Sequence, residues 1–353
     1  MQPSELPLAP PSPAHPALLQ DDDGDEPARS PDEAQPLRAR IPAEAAGERL
    51  DKVLAQLFPA FSRTRLRAWC EAGRVQLGAR AAAPRDKARA GAEVSLLPPA
   101  DPEAAAFAPE AMDLRVVWED ADLAVIDKPA GLVVHPGAGN WSATLLNGLL
   151  ARYADAAGLP RAGIVHRLDK DTSGLLVVAR SLQAHTDLVR QLQQRSVSRQ
   201  YLALAWGRLA QPTWVDAPIG RDPRDRLRMA VVAGGRPART HFACVGRCDA
   251  DAGPISALRC ILESGRTHQI RVHARHLGLP LLGDPLYGRR GAPRLALQRQ
   301  ALHAALLRLR HPRSGQWMQW HAPVAADIVA QWAVLGGDPT ALDGSRWQAP
   351  ERA

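Results

Sequence analysis

Cysteine is scarce in this chain of 353 residues: there are four, too few to staple a fold of that size, and a reducing compartment, the cytoplasm, is expected. No apolar run approaches the roughly 20 residues needed to span a bilayer. The N-terminus lacks a basic n-region followed by an apolar h-region, so neither membrane insertion nor secretion is expected. Glycine-rich phosphate loops are missing as well. "PGAGNWS" (136–142) turns on glycine but has no following Gly-Lys-Ser/Thr, and no GxGxxG occurs, which excludes the common nucleotide-phosphate folds. No CxxC knuckle is present. His241, Cys244, Cys248 and Cys260 are the one cluster of soft ligands, but Cys244 and Cys260 fall in strand-like runs and read as buried apolar thiols, so no metal is expected. There is no internal repeat.

What the chain does have is positive charge, unevenly spread. The net charge is +7, yet the first 40 residues carry eight acids against Arg29, Arg38 and Arg40, a balance of −5 that leaves +12 on the rest. So basic a body favours a polyanionic partner, nucleic acid before an acidic membrane surface. Residues 1–40 ("LPLAPPSPAHP", then "DDDGDE") are proline, alanine and acid with almost no aromatic or β-branched content, and read as a disordered acidic tail.

Residues 47–97 form a compact unit. Leu50, Val53, Leu54 and Leu57 repeat at helical spacing. After Pro59, Ser62 is a plausible N-cap for a second helix carrying Leu66, Trp69 and Cys70, stopped by Gly73. Arg63, Arg65 and Arg67 line the outer side of that helix, Arg74 follows it, and Lys87 and Arg89 come later. A basic helix face is most often simply solvated, but these six cations within one 50-residue unit suit phosphate contact. Residues 98–112 read as a linker, 113–330 as a second domain and 337–353 as a loose tail. Within 113–330 the pattern is mixed. "DLAVIDK", "GLLVVAR", "RQYLALAWG" and "SALRCILE" are strand-like, and "ATLLNGLLARYADA", "SLQAHTDLVRQLQQR" and "RTHQIRVHARHLG" are helical. "RQALHAALLRLRHP" fits either.

"GIVHRLDKDTSGLLVVAR" (163–180) places a charged knot between two apolar runs. An isolated Asp169 at such a turn is most simply a turn cap. Three features argue for more: His166 and Arg167 just upstream, suited to grip phosphate or stack on a base; a second basic cluster of Arg266, His268, Arg271 and His273; and Tyr201 in a strand just after Arg199.

The whole series of blocks, "HRLDKDTSGLLVVAR", "DKPAGLVVHPGAGN", "SRQYLALAWG", "ESGRTHQIRVHARHLGLPLLGDPLYG" and "RQALHAALLRLRHP", resembles the RluA-type pseudouridine synthases, over most of residues 113–325. Residues 47–97 resemble the S4-type (alpha-L) RNA-binding domain, although "QLGARAAAP" stands where that family usually has an Asn-Gly turn. The resemblance implies an α+β fold around a long mixed, largely antiparallel sheet, preceded by the S4 unit. It implies isomerisation of uridines in 23S ribosomal RNA, no cofactor, and a monomer. It also implies catalytic roles for Asp169, Tyr201 and Arg266, the last as the partner of the aspartate, and entry of Arg167 into the RNA stack. His166 is structural first and an RNA contact second, Ile270 is an apolar wall against the base, and Lys128 could contact phosphate, although an exposed lysine there needs no role. Whether the carboxylate attacks C1′, attacks C6 or assists a glycal route stays open. The alternative is a non-catalytic RNA-binding assembly protein of the same fold.

Overall fold

The computed structural model describes residues 36–98, 104–137, 139–225, 227–289, 291 and 295–347. They fall into two compact units that part near residue 100.

The first unit packs two helices, α1 (Leu50–Leu57) and α2 (Arg63–Glu71), on a four-stranded antiparallel sheet. Its strands are β1 (Leu37–Arg40), β2 (Val75–Leu77), β3 (Arg80–Ala81) and β4 (Glu93–Leu96), in the order β1-β4-β2-β3. Leu50, Val53, Leu54 and Leu66 are fully buried against Val75, Val94 and Leu96, so the helical spacing in the sequence is the inner face of both helices. Ser62 caps α2 by accepting from Arg65 N at 3.3 Å, and Gly73 takes the positive φ that ends it. The hairpin β2–β3 turns on Gly78-Ala79. Only the first of the two has positive φ, as a type II′ turn requires, so the missing Asn-Gly is replaced by another turn chemistry rather than by a longer loop. Leu37–Arg40 correct the tail expectation: they pair with Glu93–Leu96 as an edge strand. The rest of the tail reading, residues 1–35, lies outside the described residues.

The second unit is built on a nine-stranded sheet. Its strands are β5 (Val116–Glu119), β6 (Leu123–Lys128), β7 (Ser173–Ala179), β8 (Ser198–Trp206), β9 (Thr213–Asp216), β12 (Arg239–Ala250), β13 (Gly253–Leu262), β14 (Leu302–Arg310) and β15 (Trp317–His321). The order is β5-β6-β7-β14-β8-β13-β12-β9, with β15 on β14, and all pairs are antiparallel except the short parallel contact of β14 with β7. A separate ribbon joins β10 (Ile219–Arg221) to β11 (Met229–Val231). The segment 299–312, open between helix and strand in the sequence, contains strand β14. It lies between β7 and β8, where both faces are covered and a continuous apolar run fits.

Alternation along β8 shows how the sheet is covered. Tyr201, Ala203 and Ala205 face one core, with α3 (Leu145–Arg152) and α5 (Gln269–His276). Leu202, Leu204 and Trp206 face the other, with α6 (Ala326–Val334), while α4 (Leu182–Gln193) covers β6 and β7 on that side. Two further expectations are corrected here. Residues 104–112 are not a free linker: Ala106 is buried, and the Asn147 amide donates to the carbonyls of Ala106 and Ala108. Nor is 337–347 loose, because Leu342 and Trp347 complete the core beneath α6.

Candidate active site

The charged knot is a tight turn entering β7, closed by Thr172 N on Asp169 O at 3.0 Å. Its backbone is held from below by buried side chains. Lys128, at the end of β6, has no solvent exposure and donates to the carbonyls of Pro129, Leu132 and Lys170 at 2.8, 2.9 and 2.9 Å. Burial pushes its pKa down to about 7, with Asp171 and Asp169 pulling the other way. Arg299, ahead of β14, donates to Asp171 O at 3.0 Å and is itself held by both oxygens of Asp327 on α6, each at 2.7 Å. Gln300 reaches Thr172 Oγ1, and His303 pairs with Ser173 Oγ. Lys128 therefore has a role the sequence did not assign.

Above this scaffold Asp169 presents its carboxylate, 19% exposed. Oδ2 accepts from Arg271 Nη1 at 3.1 Å. Among the described residues Oδ1 has no hydrogen bond and is available to a ligand. Arg271 is 4% exposed and makes a bidentate pair with Asp284 at 2.7 and 2.8 Å, and Asp284 also accepts from Leu286 N and Tyr287 N. Burial alone would lower the arginine's pKa, but its two carboxylate partners raise it above the ordinary value. The guanidinium is thus fixed by a fully buried acid and turned toward the half-open one.

This corrects the expected partner. Arg266 lies in the loop before α5 and donates to Pro237 O at 3.2 Å, with no ion pair to Asp169. Arg271 is inside the first turns of α5, and its helical position carries it inward. The sequence had shown Arg271 among four basic residues. The signal that singles it out is its partner Asp284 in "LLGDPLYG", which pattern alone does not link to it.

Tyr201 is buried on β8, and desolvation pushes its phenol up to about 12; the charges of Asp169 and Arg199 both act on it. Ile270 is buried on α5, in the same core as Tyr201. His268 sits at positive φ at the start of α5, with Nδ1 bonded to Tyr287 Oη at 2.8 Å and its pKa lowered by burial. Arg167 is exposed beside Asp169. His166 accepts from Val177 N through Nε2 at 3.1 Å, and burial pulls its pKa down to about 3; it is a neutral structural imidazole. The soft ligands do not converge: among the described residues His241, Cys244, Cys248 and Cys260 form no group of three within reach of one another, and the Cys260 thiol is pushed up by burial.

In the first unit the arginines are partly engaged. Arg63 binds the buried Asp51 at 2.8 Å, Arg67 pairs with Glu71 at 3.0 Å, and Arg65 lies over the Trp69 ring at 5.1 Å. Arg63 ties α2 to α1. The outward groups of Arg65, Arg67 and Arg74 face solvent.

An α+β fold with a carboxylate anchored this way, following in sequence a small unit of two helices on a four-stranded sheet, defines a class. The family model of RNA pseudouridylate synthase matches residues 122–276, and that of the S4 domain matches residues 48–94. The chain is 49% identical over 300 residues to the ribosomal large subunit pseudouridine synthase D of Nitrosomonas europaea, covering 83% of this chain and 86% of the relative. It is 50% identical over 314 residues to the enzyme of the same name from Xanthomonas campestris pv. campestris, covering 85% and 93%. The human RNA pseudouridylate synthase domain containing 1 structure superposes with a TM-score of 0.50 at 26% identity, over 64% of this chain and 86% of that one. The chain belongs to the RNA pseudouridine synthase family, whose members are isomerases acting on RNA.

Proposed function

We propose that this chain converts specific uridines of large-subunit (23S) ribosomal RNA to pseudouridine, as a cytoplasmic monomer using side-chain chemistry alone. The supporting observation is the Asp169–Arg271–Asp284 chain, which fixes one carboxylate oxygen and leaves the other open beside a buried tyrosine. The names of the relatives supply the RNA class. Among the described residues no helix is long and apolar enough to cross a membrane.

In this reading the target nucleotide is extruded from structured RNA at a cost of a few kcal/mol, and the Arg167 plane stacks into the vacated place. The base enters against Tyr201, with Ile270 as apolar wall. Oδ1 of Asp169 assists cleavage of the N1–C1′ bond, either as a nucleophile or by helping to form a glycal. The ring turns, C5 joins C1′ as any bond to the aspartate breaks, the C5 proton is lost to solvent with the buried Tyr201 phenol as its assigned carrier, and N1 takes up a proton in return. Arg271 keeps the carboxylate oriented throughout. Arg266 is assigned to RNA contact at the rim rather than to the aspartate. Arg65, Arg67 and Arg74 supply phosphate contacts from the S4 unit.

The test is tritium release from unmodified large-subunit rRNA labelled at uridine C5, joined to pseudouridine mapping in cells lacking the protein. Release, with loss of defined pseudouridines in those cells, is expected. Tight binding without release would leave the assembly-protein alternative.

A further inference from the structure

Arg199 is a buried cation that nothing neutralises. It lies on β8 with 8% of its surface exposed. Among the described residues its guanidinium has no carboxylate within 4.0 Å and no hydrogen-bond acceptor, and Nε is sealed from solvent without a partner. The two nearest titratable groups that act on it or feel it carry no charge. Tyr201, two positions along the same face of β8, is a neutral phenol, and His166 is a neutral imidazole whose Nδ1 is also buried without a partner. The adjacent acid is engaged elsewhere: Glu263, next to Arg199's cross-strand partner Leu262, pairs with Arg239 at 3.4 Å and Arg195 at 3.7 Å. A desolvated, uncompensated charge costs several kcal/mol and persists where a ligand completes it.

The position says which ligand. Arg199 and Tyr201 are spaced by about 6.6 Å along the same face of the strand, and the Tyr201 phenol feels the charges of both Arg199 and Asp169, so the arginine lies one strand step from the tyrosine beside Asp169. Gly265 leaves room for it: a Cβ there would come within 2.8 Å of Arg199 Nη1. Immediately beyond lies Arg266, whose charge is felt by Arg195 and Arg236, so the loop over Arg199 is part of a cationic rim. A partner that offsets a permanent cation must be permanently anionic. In RNA that is the phosphodiester; uracil enters uncharged.

We propose that Arg199, uncovered by Gly265, is the seat of a backbone phosphodiester at or next to the extruded uridine. This deepens the reading above and rests on RNA being the ligand. A phosphate oxygen on a guanidinium makes a charge-assisted bond, and each such contact contributes to the salt dependence of binding.

The test measures affinity for a large-subunit rRNA transcript against salt concentration, the single-turnover rate at saturating RNA, and the melting temperature of the free protein. The variants are Arg199→Met, Arg199→Lys and Gly265→Ala in the full chain. Arg199→Met is expected to weaken affinity about tenfold or more and to lower the slope of log Kd against log salt by about 0.7 to 0.9. Saturating RNA should restore most of the rate. The free protein should melt at the same or a higher temperature, because an unpaired buried charge is replaced by an apolar chain. Lysine should recover part of the affinity, and Gly265→Ala should reproduce the defect with the charge retained. An unchanged affinity and slope would overturn the proposal. So would a rate that stays low at saturation with affinity intact, which would place Arg199 on the base, or a lowered melting temperature, which would make it structural. Should Arg199→Met fail to fold, Gly265→Ala carries the same comparison. Binding without tritium release by the wild type would refute the catalytic reading and leave this one standing.

Discussion

Arg271 carries two carboxylates of unequal standing, and the difference separates stability from chemistry. Asp284 has no side-chain exposure, so removing its cation strands a buried charge, a loss of about 3–5 kcal/mol. Arg271→Met is therefore expected to lower the midpoint of urea unfolding strongly and to lose turnover together with it. Asp169→Asn leaves the Asp284 pair intact and removes a half-open group, so its unfolding free energy should stay within about 1 kcal/mol of wild type. A stable Arg271→Met variant would mean that Asp284 finds another partner. From the sequence, Asp169, Tyr201 and Ile270 could be picked out because they sit inside blocks of recognisable order. Arg271 could not be preferred over Arg266. Both are arginines of one short block, and only the start of α5 at Gln269 decides which one turns inward.

Secondary-structure elements set the Asp169 turn in place where β7 meets β14. Gly174 has a φ of +107° and passes so close to β14 that a Cβ would lie 2.3 Å from Ala304 O. Gly174→Ala should shift the register of Ser173 and Asp169 and destabilise the protein by at least about 3 kcal/mol, seen as insoluble expression or a lowered melting temperature. Wild-type stability in that variant would contradict the close packing of the two strands. Asp327→Asn acts from farther away: it weakens the grip of α6 on Arg299 and so on the Asp171 carbonyl. It is expected to reduce kcat several-fold while KM stays put, measured by steady-state tritium release. Most of these elements were legible from the apolar pattern, since α1, α2 and α4 repeat apolar residues at helical spacing and β6, β7 and β8 are short apolar runs buried on both faces. Lys128 and Arg299 were not. Each is a cation at or near an element's end, and burial against three backbone carbonyls leaves no trace in a hydrophobic pattern.

Across the whole molecule, buried histidines tie stability to pH. His166, His135 and His303 are pulled by burial to about 3, 4 and 4, below the 6.5 of an unfolded histidine. The unfolded chain then binds more protons than the folded one. Stability is complete above pH 6.5 and falls as pH drops toward 4, by up to about 1.4 kcal/mol per pH unit for each histidine. Urea midpoints should fall between pH 7.5 and pH 5.5, and His303→Gln should flatten the dependence; equal midpoints at both values would contradict the buried neutral imidazoles. The tail boundaries were the least legible at this level. Composition marks residues 36–40 and 337–347 as polar and proline- or glycine-rich, but an edge strand needs only backbone pairing, and Trp347 and Leu342 need only one cavity each.

The most direct measurement is single-turnover tritium release from saturating C5-labelled large-subunit rRNA by wild type and Asp169→Asn, with RNA affinity measured on the same samples. Stoichiometric release by the wild type is expected, with the variant slower by on the order of 10⁴-fold or more at an affinity within a few-fold. Release by Asp169→Asn at a rate near that of the wild type would contradict the assignment of the carboxylate to the reaction.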